Sequence, residues 1–248
     1  MARSSTTQRS RRGTTDAAAA SAAVKPSPRK RAVARAPGPP GVQLGEFAGR
    51  AMILQAAAMV FAERGVRAAS VEDLLKASGI SRRTFYRLYQ GKEDVMLAIY
   101  SMGTDLLIES CRRAIAEETT PVRKLRKCID SHLANVRGMG RLLFVLHGEA
   151  HHEDSSLYAR RMQAHATLVD MLAAGTALAR SEERIDPLLF RALLLALEQI
   201  VRTMLAEGDE GRSVTEASIE RARRVMYRLG TATLVGSGPG VTPMPLME

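Results

Sequence analysis

The chain has 248 residues, a formal net charge of +10, 46% hydrophobic residues and few aromatics: five Tyr, five Phe and no Trp. That length supports one or two domains with a sizeable core, and a composition rich in Ala, Leu, Arg and Glu favours helix over sheet. Two cysteines, Cys111 and Cys128, are too few for a disulfide framework, and no apolar run reaches the ~18 residues of a membrane span, so reduced thiols, no membrane and a cytoplasmic location are expected.

Residues 1–45 are rich in Ser, Thr, Ala, Arg and Pro, end in APGPPGVQLG and have no apolar period; they read as a disordered basic arm. Their alanine run follows Asp16 and leads into KPSPRKR, so the arm is not read as a signal peptide. Residues 1–49 hold nine Lys or Arg against Asp16 and Glu46, a net +7 that leaves +3 for the rest. Such an arm suits a polyanion, and nucleic acid ahead of a membrane, because it has almost no bulky apolar residues to insert.

A helical period begins at Glu46, with Ile53, Ala56 or Ala57, Val60 and Phe61 on one face and Gly65 as the capping glycine at its end. Ser70 and Asp73 have the spacing of a capping box and open a short helix, VEDLLKAS, that reaches to Gly79. Ser81 caps a third helix, from Arg82 to about Tyr89. Gly91 ends it, and a long fourth helix starts at Lys92, with Val95, Leu97 or Ala98, Met102, Leu106 and Ile108 or Glu109 turning around its axis.

Further on, Pro121 marks a helix start, Gly138 and Gly140 a break, Pro187 another start and AEGDEGRSVT a loop, giving five or so further helices and no convincing strand. Segment 186–208 is apolar nearly all round in its first half, so it needs cover on more than one side, from the core or from a second subunit. Segment 215–230 is the last helix, and beyond Gly230 the chain reads as a loop-like tail.

Two short helices joined at Ser78, Gly79 and Ile80 have helix-turn-helix spacing: Gly79 permits the positive φ of the tight turn, and Ile80 packs the pair together. The second helix carries Ser81, Arg82, Arg83 and Thr84 in its first turn, where side chains reach base edges in a major groove. An arginine there can contact guanine O6 and N7 together. Thr84, Tyr86, Tyr89 and Lys92 lie where hydroxyls and an ammonium could grip the phosphate backbone, and Ser70 and Arg87 complete the DNA-facing set. Phe85 and Leu88 face inward, so the aromatics are divided between core and clamp.

Residues 53–100 resemble the DNA-binding domain of the tetracycline-repressor (TetR) family of bacterial regulators. The resemblance is carried by Ala56, Ala57, Phe61, Gly65, Gly79, Ile80, Ser81, Thr84, Phe85, Tyr86, Tyr89, Lys92 and Glu93; the chain departs from the family pattern at Leu74, Leu75 and Tyr89. It implies an all-α fold in which an N-terminal three-helix helix-turn-helix domain (46–106) is joined by a long helix to a C-terminal helical ligand-binding and dimerisation domain (107–232), followed by a flexible tail (233–248). It implies phosphate contacts from Thr84, Tyr86 and Lys92, and base reading by Arg82 and Arg83. A homodimer through segments 186–208 and 215–230 would then read a pseudo-palindromic operator in double-stranded DNA.

The resemblance also implies a small-molecule effector, for which His132, Asn135, His147 and Tyr158 are candidate pocket-lining polar groups. His147 and His151 have the spacing of metal ligands, but a solvated helix end is the commoner meaning and no metal or other cofactor is expected. No Gly-x-Ser-x-Gly, phosphate loop or dinucleotide fingerprint appears, so the chain is not expected to be an enzyme. The expected function is a sequence-specific transcriptional regulator, a repressor released by its effector. The alternatives are an architectural protein that coats DNA through its arm, and a helical ligand carrier or enzyme with a relict reading head.

Overall fold

The computed structural model describes residues 40–176 and 185–235, so residues 1–39 of the expected basic arm, residues 177–184 and the tail from 236 on lie outside the described residues. Among the described residues there are helices and no strands: α1 (Pro40–Arg64), α2 (Val71–Ser78), α3 (Arg82–Leu88), α4 (Lys92–Glu117), α5 (Pro121–Ala150), α6 (Ser156–Thr176), α7 (Pro187–Glu207) and α8 (Glu216–Val235). No helix among them is long and apolar enough to cross a membrane.

The first helix starts at Pro40, ahead of the expected Glu46. A proline fits the first helical position because its φ is preset and its missing N–H has no partner there, while Gly41 and Gly45 hide the apolar period that would have revealed the turn. Ile53, Ala57, Val60 and Phe61 of α1 are buried against Leu74 of α2, Phe85 and Leu88 of α3, and Val95 of α4. Ser70 caps α2 reciprocally: its hydroxyl accepts from the Asp73 amide at 3.2 Å, and its own amide donates to the Asp73 carboxylate at 2.9 Å. Gly65 and Gly79 end α1 and α2 at φ +78° and +67°, the left-handed region expected of them.

On α4 the residues that turn inward are Val95, Met96, Tyr100, Ile108, Cys111 and Ala114. Met102 and Leu106, placed by pattern around the same axis, are 60% and 51% exposed. Thr120 caps α5 and Pro121 opens it, but the expected break at Gly138 and Gly140 is a kink: Met139 alone leaves helical geometry, at φ −130° and ψ 21°, and the helix resumes. Among the described residues four helices, one of them kinked, follow α4 where five or so were expected. Gly140 is there for close approach, since a Cβ on it would lie 2.7 Å from the Gly211 carbonyl oxygen. That carbonyl belongs to a tight turn in which Asp209, Glu210 and Gly211 all have positive φ.

The second core lies between α4 and the helices that follow it, around Leu133, Val136, Leu172, Phe190, Val201, Leu205 and Met226. Each large side chain buried there contributes about 1.5–3 kcal/mol. One side of α7 supplies Phe190, Leu193, Leu197, Val201 and Leu205, whereas Leu188, Leu189 and Leu195 remain exposed. Helix α8 does not stop at Gly230 but continues to Val235, because Gly230 faces α5, where a Cβ would meet Leu125 at 2.6 Å.

Candidate functional site

On the short helix α3, Arg82, Arg83, Tyr86 and Arg87 are exposed and Thr84 is half-buried. Its start is fixed locally: the Ser81 hydroxyl accepts from the Thr84 amide at 3.2 Å and lies 3.0 Å from the Thr84 hydroxyl. Tyr86 stands edge-on against buried Phe85, with centroids 5.4 Å apart at 86°, so its phenol leaves the helix in a fixed direction. Arg82 pairs with Glu72 of α2, and Arg87 comes within 3.7 Å of Glu46. Ser70 spends its hydroxyl on the Asp73 carboxylate at 2.7 Å, beside the same face.

Two residues expected to grip phosphate are engaged elsewhere. Tyr89 is only 5% exposed; its ring packs against Phe85 and lies beneath the Arg50 guanidinium, 5.1 Å from the centroid, which makes it core. The Lys92 ammonium donates to the carbonyls of Val66, Arg67 and Ala69 at 3.0, 3.2 and 2.7 Å. Three acceptors match its three donors. Lys92 thus ties α4 to the loop after α1. The sequence pattern places both residues along the chain and does not say which way their side chains turn.

Further along the molecule, α1, α4 and α5 enclose an apolar cleft of about 650 Å³, with Phe47, Met102, Leu106 and Met139 at its exposed rim. Behind it, α4–α8 surround an inner cavity of about 110 Å³. Tyr100, Thr104, Leu107, His132 and His147 line both spaces. Of the polar groups expected to line a pocket, His132, His147 and Asn135 do so. Tyr158 lines neither cavity; it sits beyond the kinked end of α5, near the start of α6.

Sequence reasoning missed the charged centre of this region. Glu198 of α7 accepts two bonds from the Nε of Arg161 of α6, at 2.8 and 3.1 Å, and one from Nη2 at 2.5 Å. His165 and His151 approach the same carboxylate at 3.5 and 3.9 Å. Burial opposes charge on Glu198, but the Arg161 bonds outweigh it and hold the carboxyl below its ordinary range. Burial pushes His147 down to about 4 and lowers His132 and His165 as well, against the pull of Glu198. Buried Nδ1 atoms of His147 and His165 have no hydrogen-bond partner. Among the described residues no group of His, Cys, Asp and Glu has the arrangement of a metal site, and Cys111 and Cys128 are both free and buried.

The profile of the bacterial regulatory proteins of the tetR family matches residues 53–99, which span the head from α1 into α4. Residues 53–99 carry a DNA-binding domain of the tetR type. With that domain, and a curated relative that is a regulator, it is a DNA-binding transcriptional regulator and not an enzyme. The fatty acid metabolism regulator protein of Bacillus subtilis is 24% identical over 163 residues, covering 64% of this chain and 84% of that protein. The fold is shared with the fatty acid degradation regulator FadR of Bacillus halodurans, at TM-score 0.59 and 19% identity over 78% of this chain and 96% of that one. It is also shared with FadR of Bacillus subtilis in complex with stearoyl-CoA, at TM-score 0.56 and 19% identity over 77% and 99% of the two chains. The apolar cleft adjoins the tetR-type head through α1 and the C-terminal helices through α5.

Proposed function

We propose that the protein is a homodimeric, cytoplasmic repressor of an operator controlled by a fatty acyl compound, with an acyl-CoA as effector. The observation that carries this reading is the cleft of about 650 Å³, lined chiefly by apolar side chains with Arg50, Gln55, Thr104, His132, Asn135 and His147 among them, and bounded on one side by a helix of the reading head. An acyl chain suits that lining, and the complex of a fold relative with stearoyl-CoA supports the class. A ligand favouring one separation of α1 from α5 shifts the population of heads able to reach successive major grooves; each tenfold change in occupancy needs only about 1.4 kcal/mol of differential affinity.

DNA reading falls to the exposed set on α3. Arg83, which has no ion-pair partner among the described residues, and Arg82 face bases, while Ser70, Ser81, Thr84, Tyr86 and Arg87 position the phosphates. Pairing of two subunits through α7 and α8 would cover Leu188, Leu189, Leu195 and Val225, which the single chain leaves exposed. The basic arm would add sequence-independent contacts.

The test selects bound fragments from random-sequence DNA at about 0.15 M salt, then titrates the selected complex with acyl-CoAs of increasing length. An enriched inverted repeat released by a long-chain acyl-CoA is expected. Binding without enrichment would favour an architectural protein instead, and an operator complex indifferent to every chain length would overturn the effector class.

A further inference from the structure

Charge is unevenly placed around the outer cleft. Among its described lining residues there is no Asp or Glu, and Arg50 of α1 is the one Lys or Arg. His132 and His147 line it as well, but burial lowers both and leaves them uncharged at neutral pH. Gln55, Thr104 and Asn135 carry no charge. The full positive charge of the cleft therefore stands on a helix of the reading head.

Arg50 is exposed, one helical turn after Phe47 at the rim. Its guanidinium lies over the Tyr89 ring, 5.1 Å from the centroid, and makes no ion pair or hydrogen bond among the described residues, so its N–H donors are unspent. The carboxylate one turn back, Glu46, approaches Arg87 at 3.7 Å instead. Tyr89 in turn closes α3, its amide donating to the Phe85 carbonyl at 2.9 Å. The one cation of the cleft thus rests on the last residue of the reading helix.

A long apolar chain with an anionic end fits this division. Its carbons suit Leu54, Ala58, Leu107, Leu142 and Leu146, but its charge cannot follow them inward, where no cation compensates it. At Arg50 the charge meets planar donors that match a phosphate or a carboxylate two bonds at a time. A neutral end gains nothing there.

We propose that Arg50 receives the anionic head of the effector, a phosphate of the acyl-CoA, and so ties the ligand to the reading head. The proposal rests on the cleft being the acyl-CoA site and adds which residue reads the ligand's charge and what that charge does. With the chain packed on α4 and α5 and the head held on α1, a charged ligand fixes the separation of the two; a neutral chain of equal length fills the cleft without holding α1.

The test compares S-octadecanoyl-4′-phosphopantetheine with S-octadecanoyl-pantetheine, which lacks only the phosphate, and with octadecanoate, on the full chain by calorimetry at about 0.15 M salt. The phosphorylated thioester is expected to bind about five- to tenfold tighter than the neutral one, by a margin that shrinks as salt is raised. In Arg50→Gln the margin should close through weaker binding of the phosphorylated compound, whereas Arg50→Lys keeps most of it. At equal occupancy of the cleft, the phosphorylated thioester should release more of the selected operator complex than the neutral one. Equal affinities of the two thioesters, a margin that survives Arg50→Gln, or an equal loss of both in that variant would overturn the role of Arg50. Equal release at equal occupancy would overturn the tie to the head, and a loss confined to octadecanoate would put a carboxylate in place of the phosphate. Failure of every compound to bind would overturn the acyl reading of the cleft itself.

Discussion

The Lys92 ammonium is held by three carbonyl oxygens around the end of α1, and it therefore acts as a strut of the reading head. Replacing it in Lys92→Met removes charged hydrogen bonds worth about 1.5–3 kcal/mol each at most, and a lower melting temperature is expected. The slope of log affinity against log salt should stay the same, because no phosphate contact is lost; a fall of about one in that slope would place the ammonium on DNA instead. Arg83 has the opposite profile. Its guanidinium is exposed on α3 with no protein partner among the described residues, so Arg83→Ala should weaken operator binding without lowering the melting temperature. Tyr89 belongs with Lys92 and not with Arg83, since its ring is already sandwiched between Phe85 and Arg50.

Between elements, the decisive contact is the kink of α5 against the turn joining α7 to α8. Arg141, just past the kink, donates to the Ala62 carbonyl in the last turn of α1 at 2.9 Å and pairs with the Glu210 carboxylate of that turn. One side chain thus connects the reading head, the kink and the helices proposed to pair the subunits. Arg141→Met keeps the aliphatic stem and removes the connection; operator affinity should survive while the effector concentration needed for release rises. If release is unchanged, coupling runs by another route. The backbone beneath it is less forgiving. A Cβ at Gly211 would lie 2.4 Å from the Gly140 carbonyl at a φ of +85°, so Gly211→Ala is expected to lower stability by about 2–4 kcal/mol in denaturant titration. Gly230→Ala meets only the Leu125 side chain, which can shift, and should cost about 1–2 kcal/mol.

For the molecule as a whole, the histidines buried near Glu198 couple folding to pH. His147 has a folded pKa of about 4 against an ordinary 6.5, so between those values the unfolded chain binds the proton that the folded chain refuses. Stability is fully present above about 6.5 and is lost as pH falls toward 4, by about 3 kcal/mol for this residue, with His132 and His165 acting in the same direction. Melting curves across that range should show the loss, and His147→Leu should flatten it. What the sequence by itself determined are the features closed by bonds a few residues apart: the Ser70–Asp73 box, the left-handed caps at Gly65 and Gly79, and the Ser81 cap that starts α3. Together with the inward spacing of Phe85 and Leu88, these made the reading head legible, because each needs only its neighbours in the chain. Helix crossings decided the rest. Which way Tyr89 and Lys92 turn depends on where α1 and α4 pass; Tyr100 and Thr104 of α4 meet His132 and His147 of α5 at the cavities near a charge pair from α6 and α7; and α7, apolar nearly all round, carries no period to say which face the core takes. Periodicity records that a helix has an apolar side, and only packing assigns that side a partner.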